Sequence, residues 1–404
     1  MSDRSGCFGD LADGTAISME MGRERRQPLT ELRFSRRHFL LAGATGFVAA
    51  CGRPSWPDLP AEVLAFHRES SVFDLHIDTL LWQRFLAYDM AERHEPLLPS
   101  SAFAWHMDLP RARDAGLDGA VLGIVVTPRK VRPEQLWALK IHGKIEAGVG
   151  IDQTLETLDL LQSIAERHDD AIVHVRNAAD LDQALETGRF AALAGLEGAH
   201  GIEGSLDNLR KAWQRGLRML GLVHFQANAA ASPMTAPGFD GEGLTDFGIG
   251  LLAELERLGI VIDIAHLNRA GVDDVLERVQ RPFVVSHSAC HGVHATPRNL
   301  SDAQIWAIAE RGGVLGLAVG RSFLGPGGID AFVAHAEHAR KVGGEELVAI
   351  GSDWDGAIIP VRGLEDVGGL PHLTHALLDA GWKTDAVRKL LGGNALRVLR
   401  EVLG

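Results

Sequence analysis

Disulfide chemistry has little to work with in this chain. Three cysteines in 404 residues, Cys7, Cys51 and Cys290, cannot build a disulfide framework. No apolar stretch reaches the roughly 18 residues that a membrane-spanning helix requires. Positive charge is also short: 40 Lys and Arg face 53 Asp and Glu, for a formal net charge of −13. Nucleic acid is therefore excluded as a partner, because no basic patch offsets phosphate repulsion. No glycine-rich phosphate loop follows any apolar run, which removes the usual signature of a nucleotide-binding open sheet. What remains, 46% hydrophobic residues and 46 glycines, suits a compact α/β protein. The length accommodates one large α/β barrel or two ordinary domains.

The N-terminus carries its own message. In "SRRHFLLAGATGFVAAC", residues 35–51, Arg36 and Arg37 precede Phe39, Leu40 and a short apolar run. The pattern resembles a bacterial twin-arginine export signal. The run ends at Val48-Ala49-Ala50-Cys51, which resembles a lipobox whose cysteine is acylated. Residues 1–51 are thus expected to be a signal segment, with Cys51 as the lipidation site and N-terminal membrane anchor of an exported cell-envelope lipoprotein. The 34 residues ahead of Ser35 are long for such a signal, so translation could start at Met19 or Met21. Residues 52–69, opening with the proline-rich "GRPSWPDLP", read as a tether, and 70–404 as one catalytic domain, with folded structure expected from near Ala61.

Eight short apolar runs recur along that domain. They are "SVFDLHID" (71–78), "GAVLGIVV" (119–126), "FAALAGLEG" (190–198), "RMLGLVHF" (218–225), "IVIDIAH" (260–266), "PFVVSHS" (282–288), "GVLGLAVG" (313–320) and "LVAIGSDWDG" (347–356). Amphipathic stretches lie between them, such as "IDQTLETLDLLQSIAERH", where Leu155, Leu158, Leu161 and Ile164 form one stripe. Nearly continuous apolar runs are the mark of parallel strands buried on both faces. Eight βα repeats predict a (β/α)8 TIM-type barrel, with a doubly wound open sheet as the alternative.

Polar residues stand at the C-terminal tips of these runs: His76 and Asp78, Glu197, His224, His266, His287 and Asp353. Catalytic groups of barrel enzymes collect at that rim. A His-x-Asp triplet alone is weak, since it also occurs at His106/Asp108 and His168/Asp170. Those two lie off the strand tips, one in an approach segment and one closing a helix, and read as structural or solvated. His76, Asp78, Glu197, His266 and His287 make a nitrogen and oxygen donor set without thiolate, suited to zinc or a similar divalent ion. Five donors exceed what one catalytic ion uses, so two Zn²⁺ per chain are expected. His76 and Asp78 would hold one ion, His266 and His287 the other, with Glu197 between them. Such a pair activates a bridging water and polarises the carbonyl under attack, which makes metal-assisted hydrolysis the reaction class. Asp353 is placed to take the water's proton and pass it to a leaving amine.

The segments "HID", "LEGAHGI", "LVHFQAN", "IDIAH", "VVSHSAC", "PRNLSD" and "IGSDWDG…GLEDV" run in order over about residues 70–400. In that order and spacing they resemble the membrane dipeptidase (renal dipeptidase) family of zinc metallopeptidases. The resemblance implies an amidohydrolase-like barrel with a binuclear zinc site that cleaves dipeptides, including some with a C-terminal D-residue. The family's ligands fall on His76, Asp78, His266 and His287, and its bridging carboxylate on Glu197. The resemblance further implies that His224 contacts the scissile carbonyl, that Arg298 binds the free C-terminal carboxylate, and that Asp353 serves proton transfer and the substrate's amino group. It implies a homodimer as well. Trp354 stands where the family usually has Phe, and the alanine-rich loop "HFQANAAASPMTAPGFDGEG" departs most, so side-chain preference stays open.

Two other functions remain compatible with the residues. One is a metallohydrolase acting on lactones, cyclic amides or phosphoesters, which would not need Arg298. The other is a catalytically silent barrel lipoprotein that binds a ligand. Among residues near the motifs, His200, His291 and His294 read as rim decoration, His335 and His338 as a solvated helix face, and Cys290 as a small buried thiol. Asp355 is either a turn residue or a neighbour of the site.

Overall fold

The computed structural model describes residues 56–85, 88–95, 105–128, 145–234 and 242–404. The paired arginines and Cys51, with most of the expected tether, lie outside the described residues.

Nine strands occur among the described residues, all parallel to their neighbours. They are β1 Phe73–Ile77, β2 Gly119–Val125, β3 Ile172–Val175, β4 Phe190–Glu197, β5 Leu217–Gly221, β6 Val261–Asp263, β7 Val284–Ser288, β8 Val314–Leu317 and β9 Val348–Ile350. Pairing runs β2-β1-β9-β8-β7-β6-β5-β4, and β2 pairs in turn with β4 from Gly119↔Ala191 to Val125↔Glu197, which closes the barrel. The eight strands of that ring are the eight apolar runs of the sequence, and the (β/α)8 expectation holds.

The ninth strand, β3, was not expected. It pairs with the first half of β4, from Ile172↔Phe190 to Val175↔Leu193. From Ala194 onward the same edge of β4 passes to β5, through Ala194↔Leu217. β3 is only four residues long and too short to show a period, which is why pattern reading passes over it.

Nearly every strand residue is buried, as a barrel under a coat of helices requires. Two apolar layers result. One lies between barrel and helices, where Leu158, Leu161 and Ile164 of the helix Val149–Arg167 meet Leu122, Ile124 and Ala192. The other joins Phe73, Val121, Leu193, Met219, Val261, Val284 and Val314 to Leu396, Leu399 and Val402 of the C-terminal helix Asn394–Leu403. Most of these strand residues sit in the first halves of their strands. The last helix, packed against β1, β6, β8 and β9, therefore floors the barrel at its N-terminal end.

Helix starts follow the sequence closely. Ser205, Thr245, Asn268 and Ser301 each accept a backbone N–H of their first turn, and Ser301 with Gln304 forms a reciprocal capping box.

Two local expectations change. Folded structure begins at Ala61, as expected, but in a helix Ala61–Glu69 that falls inside the 52–69 segment read as a tether and docks on the barrel. Buried His67 fastens it, with Nε2 2.8 Å from the Ala115 carbonyl and Nδ1 2.7 Å from Thr374 Oγ1. His335 is fully buried rather than solvated, and its Nδ1 accepts the Cys290 N–H at 3.0 Å. His335 and His338 lie about 60° apart around the axis of the helix Ile329–Gly343, and the edge of the buried arc falls between them. His338 faces outward and pairs with Asp302 at 2.7 Å.

Candidate metal centre

The strand tips carry the donors to one point because side chains splice the backbone ladder there. In β1 the register against β2 shifts between Asp74 and Ile77. Across that gap Asp74 Oδ1 accepts the His76 N–H at 2.9 Å and the Ser352 N–H at 3.0 Å, tying β1 to the segment after β9. The two segments then clasp directly. The Asp353 N–H donates to the His76 carbonyl at 3.0 Å, and the Asp78 N–H to the Trp354 carbonyl at 2.8 Å.

Asp263 performs the same service between β6 and β7. Its Oδ1 accepts the Ala265 N–H at 2.9 Å and the Ser286 N–H at 2.8 Å. Its Oδ2 accepts the Ser286 hydroxyl at 2.7 Å, and Ser286 Oγ lies 2.9 Å from His287 Nδ1. The serine proton is committed to Asp263, so Oγ accepts from His287, which places the imidazole proton on Nδ1. Nε2 keeps its lone pair and faces the centre.

Glu197 ends β4, His287 lies within β7, and His224 and His266 follow β5 and β6 by three residues. His266 and Asp353 adopt left-handed backbone, with φ of 66° and 64°. Non-glycine residues enter that region at a cost of about 1–2 kcal/mol. The Met234 N–H, donating to the His266 carbonyl at 2.8 Å, helps hold the first of them.

Glu197 is the hub. Its Oε1 lies 3.0 Å from His266 Nε2, 3.6 Å from His287 Nε2 and 3.7 Å from His76 Nε2. His224 Nε2 is 3.4 Å from Oε2. Asp78 Oδ2 stands 3.5 Å from His76 Nε2, and the Nε2 atoms of His266 and His287 are 2.9 Å apart. Among the described residues three overlapping triads emerge: His76-Asp78-Glu197, Glu197-His266-His287 and His76-His287-Asp353. Within each, the donor atoms lie within 4.8 Å of one another. All the candidate donors are therefore brought together, and Glu197 belongs to two triads.

Electrostatics report a centre under tension. Burial pushes Glu197 well above the usual carboxylate range, and Asp78 adds to the push. Burial does the same to Asp353, offset in part by His76 and reinforced by Asp78. Burial, together with the Arg298 guanidinium and the neighbouring imidazoles, drives His266 well below the ordinary imidazole value, and burial with His76 does so for His287. Burial opposes a proton on His76 too, yet Asp78 and Glu197 together outweigh it and raise its pKa. A cluster of buried carboxylates beside neutral imidazoles is relieved by cations.

The surroundings fit such cations. His76 Nδ1 and Nε2 and Asp78 Oδ1 are buried without a hydrogen-bond partner. Glycines make the room. A Cβ on Gly123 would lie 2.0 Å from Asp78 Oδ1, and one on Gly356 would lie 2.2 Å from Asp353 Oδ1. With three histidine and several carboxylate donors and no thiolate, the set suits zinc or a comparable divalent ion.

Arg298 borders the centre. Its Nη2 is buried without a hydrogen-bond partner, and its Cζ lies 5.2 Å from the centre of the Phe323 ring. Ser288 Oγ donates to its backbone carbonyl at 2.7 Å, anchoring the loop to β7. Burial lowers its pKa. Of the residues near the motifs, Asp355 is buried and structural: it accepts the Thr79 hydroxyl at 2.6 Å and the His106 N–H at 2.7 Å. The same exchange makes His106 structural, while Asp108 caps the helix Leu109–Asp114 and His168 ends the helix Val149–Arg167. Cys290 is buried as expected, with burial pushing its thiol up to about 12.

Sequence reasoning did not single out Asp74, Asp263 or Ser286. The available signal was an acid inside an apolar strand, two residues before His76 and three before His266.

Residues 61–403 match the membrane dipeptidases, peptidase family M19. A metallopeptidase from Rhodobacter sphaeroides, solved with a phosphinate mimic of the dipeptide L-Ala-D-Ala, is 30% identical. It covers 82% of this chain and 99% of its own, with a TM-score of 0.73. Dipeptidase AC, a metallopeptidase of family M19, is 31% identical over 83% of this chain and 99% of its own, at a TM-score of 0.71. A probable dipeptidase, PvdM of Pseudomonas aeruginosa, shares the fold at 21% identity and a TM-score of 0.73, covering 85% and 98% of the two chains. With a matching stretch that spans nearly all of the barrel and its flanking helices, the chain belongs to the membrane dipeptidase family of metallopeptidases.

Proposed function

We propose that this protein is a zinc-dependent dipeptidase that accepts substrates with a C-terminal D-residue and acts as a lipid-anchored, exported enzyme. The observation that carries the catalytic reading is the convergence of His76, Asp78, Glu197, His266 and His287 beside Arg298, whose buried Nη2 lacks a partner. A pair of divalent ions held by those five residues supplies acidity to water and polarises the carbonyl under attack.

The chain's own residues do the rest. Arg298 offers a planar fork to the free carboxylate of a dipeptide. His224 is aimed into the centre from the loop after β5 and donates to the carbonyl oxygen as charge develops there. Asp353, whose carboxyl is made more basic by burial, takes the proton that the attacking water gives up and hands it to the departing amine. Anchoring both ends of the substrate limits length, because a third residue misplaces one terminus. Acceptance of a D-residue is supported by the dipeptide mimic bound to the Rhodobacter sphaeroides relative. Export and lipidation rest on Arg36, Arg37 and Cys51 alone.

The test is hydrolysis of L-L and L-D dipeptides by the full-length protein supplied with zinc, alongside C-terminally amidated versions. Cleavage of free acids with loss on amidation is expected. No cleavage of any dipeptide, with zinc bound, overturns the reading and leaves a hydrolase of another substrate class.

A further inference from the structure

A cleft of about 630 Å³ opens on the catalytic face of the barrel, lined by His294, Arg321 and Arg362 with the turn Gly325–Gly327. The three basic residues come from the segments that follow β7, β8 and β9. This grouping stands out in a chain whose net charge is −13. Among the described residues, neither arginine forms an ion pair with an acid. The carboxylates nearest in sequence are turned to backbone, Asp330 accepting the Gly328 N–H at 2.9 Å and Glu365 the Gly363 N–H at 2.9 Å.

The walls of the cleft are tied to the loop that carries Arg298. Arg321 opens the short helix Arg321–Leu324, whose Phe323 carries the Arg298 guanidinium on its ring. Asn299, the next residue along, donates through Nδ2 to the His294 carbonyl at 2.8 Å and the Phe323 carbonyl at 2.7 Å. One side-chain amide thus ties the arginine-bearing loop to both walls of the cleft. Backbone bridges Gly320↔Pro360 and Gly328↔Arg362 fix the third wall.

Resting on the dipeptidase reading, we infer that this cleft is a second carboxylate pocket, taking the acidic side chain of the residue whose main-chain carboxylate Arg298 holds. The preferred substrate class is then a dipeptide ending in glutamate or aspartate. Two guanidiniums and an imidazole offer forked and single donors to such a group, and a carboxylate flanked by two positive charges binds more tightly than its isosteric amide. Arg321 and Arg362 act on specificity, with no part in bond cleavage.

The experiment compares Ala-Glu with Ala-Gln, which differ only in charge at the side-chain tip. For the native protein kcat/KM should favour Ala-Glu at least tenfold. In the double variant R321Q/R362Q the ratio should fall towards one, and in R321E/R362E it should reverse in favour of Ala-Lys over Ala-Glu. Melting temperatures confirm that the variants fold. An unchanged Glu-to-Gln ratio in either variant overturns the pocket while leaving the dipeptidase reading intact. Should no dipeptide be cleaved, calorimetric titration with free glutamate and glutamine decides. Tighter glutamate binding that R321Q/R362Q abolishes supports the pocket, and equal binding of the two refutes it.

Discussion

Replacing Ser286 with alanine removes one hydroxyl and breaks the relay that fixes His287. In the native protein Ser286 Oγ stands 2.7 Å from Asp263 Oδ2 and 2.9 Å from His287 Nδ1. The methyl of alanine fills the site but serves neither. Asp263 keeps its Ala265 and Ser286 backbone bonds through Oδ1, so the β6–β7 splice survives. Oδ2 and Nδ1 are left buried without a partner, a cost of about 1–3 kcal/mol. More telling is the imidazole, which is freed to carry its proton on Nε2, the atom that faces His266 and Glu197. Loss of a hydrogen bond behind a ligand histidine lowers cation affinity about 10–100-fold, or roughly 1.4–2.7 kcal/mol. Competition against a chromophoric chelator, with cobalt or zinc, reads that affinity directly. Nitrogen NMR of His287 in the cation-free protein should show Nδ1–H in the native chain and a tautomer mixture in S286A, and S286T should restore the native pattern. Cation affinity within twofold of native in a folded S286A, with Nδ1 still protonated, would refute the relay.

Two further outcomes follow from the same geometry. Gly123→Ala places a methyl 2.0 Å from Asp78 Oδ1; overpacking of this kind costs about 1–3 kcal/mol, and chelator competition should show weakened cation binding in a protein whose circular dichroism is unchanged. Stability should also fall in mild acid because burial lowers both His174 and His335 to about 4. Each takes up its proton near pH 6.5 when unfolded and only near pH 4 when folded. Their contribution is therefore complete above pH 6.5 and lost as pH falls towards 4, by up to about 3 kcal/mol each. Urea unfolding at pH 7 and pH 4.5 reads the loss, and H335Q should flatten the slope; equal pH dependence with and without His335 would rule that residue out.

The ring of eight strands was legible because parallel barrel strands are apolar throughout and repeat at helix-sized intervals. The site was legible for a related reason. A histidine or acid at the end of an apolar run has few structural uses, and six such ends aim at one mouth. What escaped depended on relations between distant segments. β3 is a strand only because β4 offers it an edge below β5. His335 is buried only because the loop carrying Cys290 lies over its helix. Asp74 and Asp263 look like ordinary strand interruptions until the amides they accept, from Ser352 and Ser286, are seen beside them. No local pattern encodes a partner more than 270 residues away.

The C-terminal helix has a bearing on how the molecule comes into being. Phe73, near the start of the barrel, shares its apolar layer with Leu399, near the end of the chain. A nascent chain that has not yet reached the helix Asn394–Leu403 would expose the undersides of β1, β6, β8 and β9, an unfloored ring with apolar side chains open to solvent. Contacts of such long sequence separation form late and slowly, and incomplete barrels of this size are prone to associate with one another. The barrel can be sealed only once the helix Asn394–Leu403 has been made, because it supplies the floor that the earlier strands leave open.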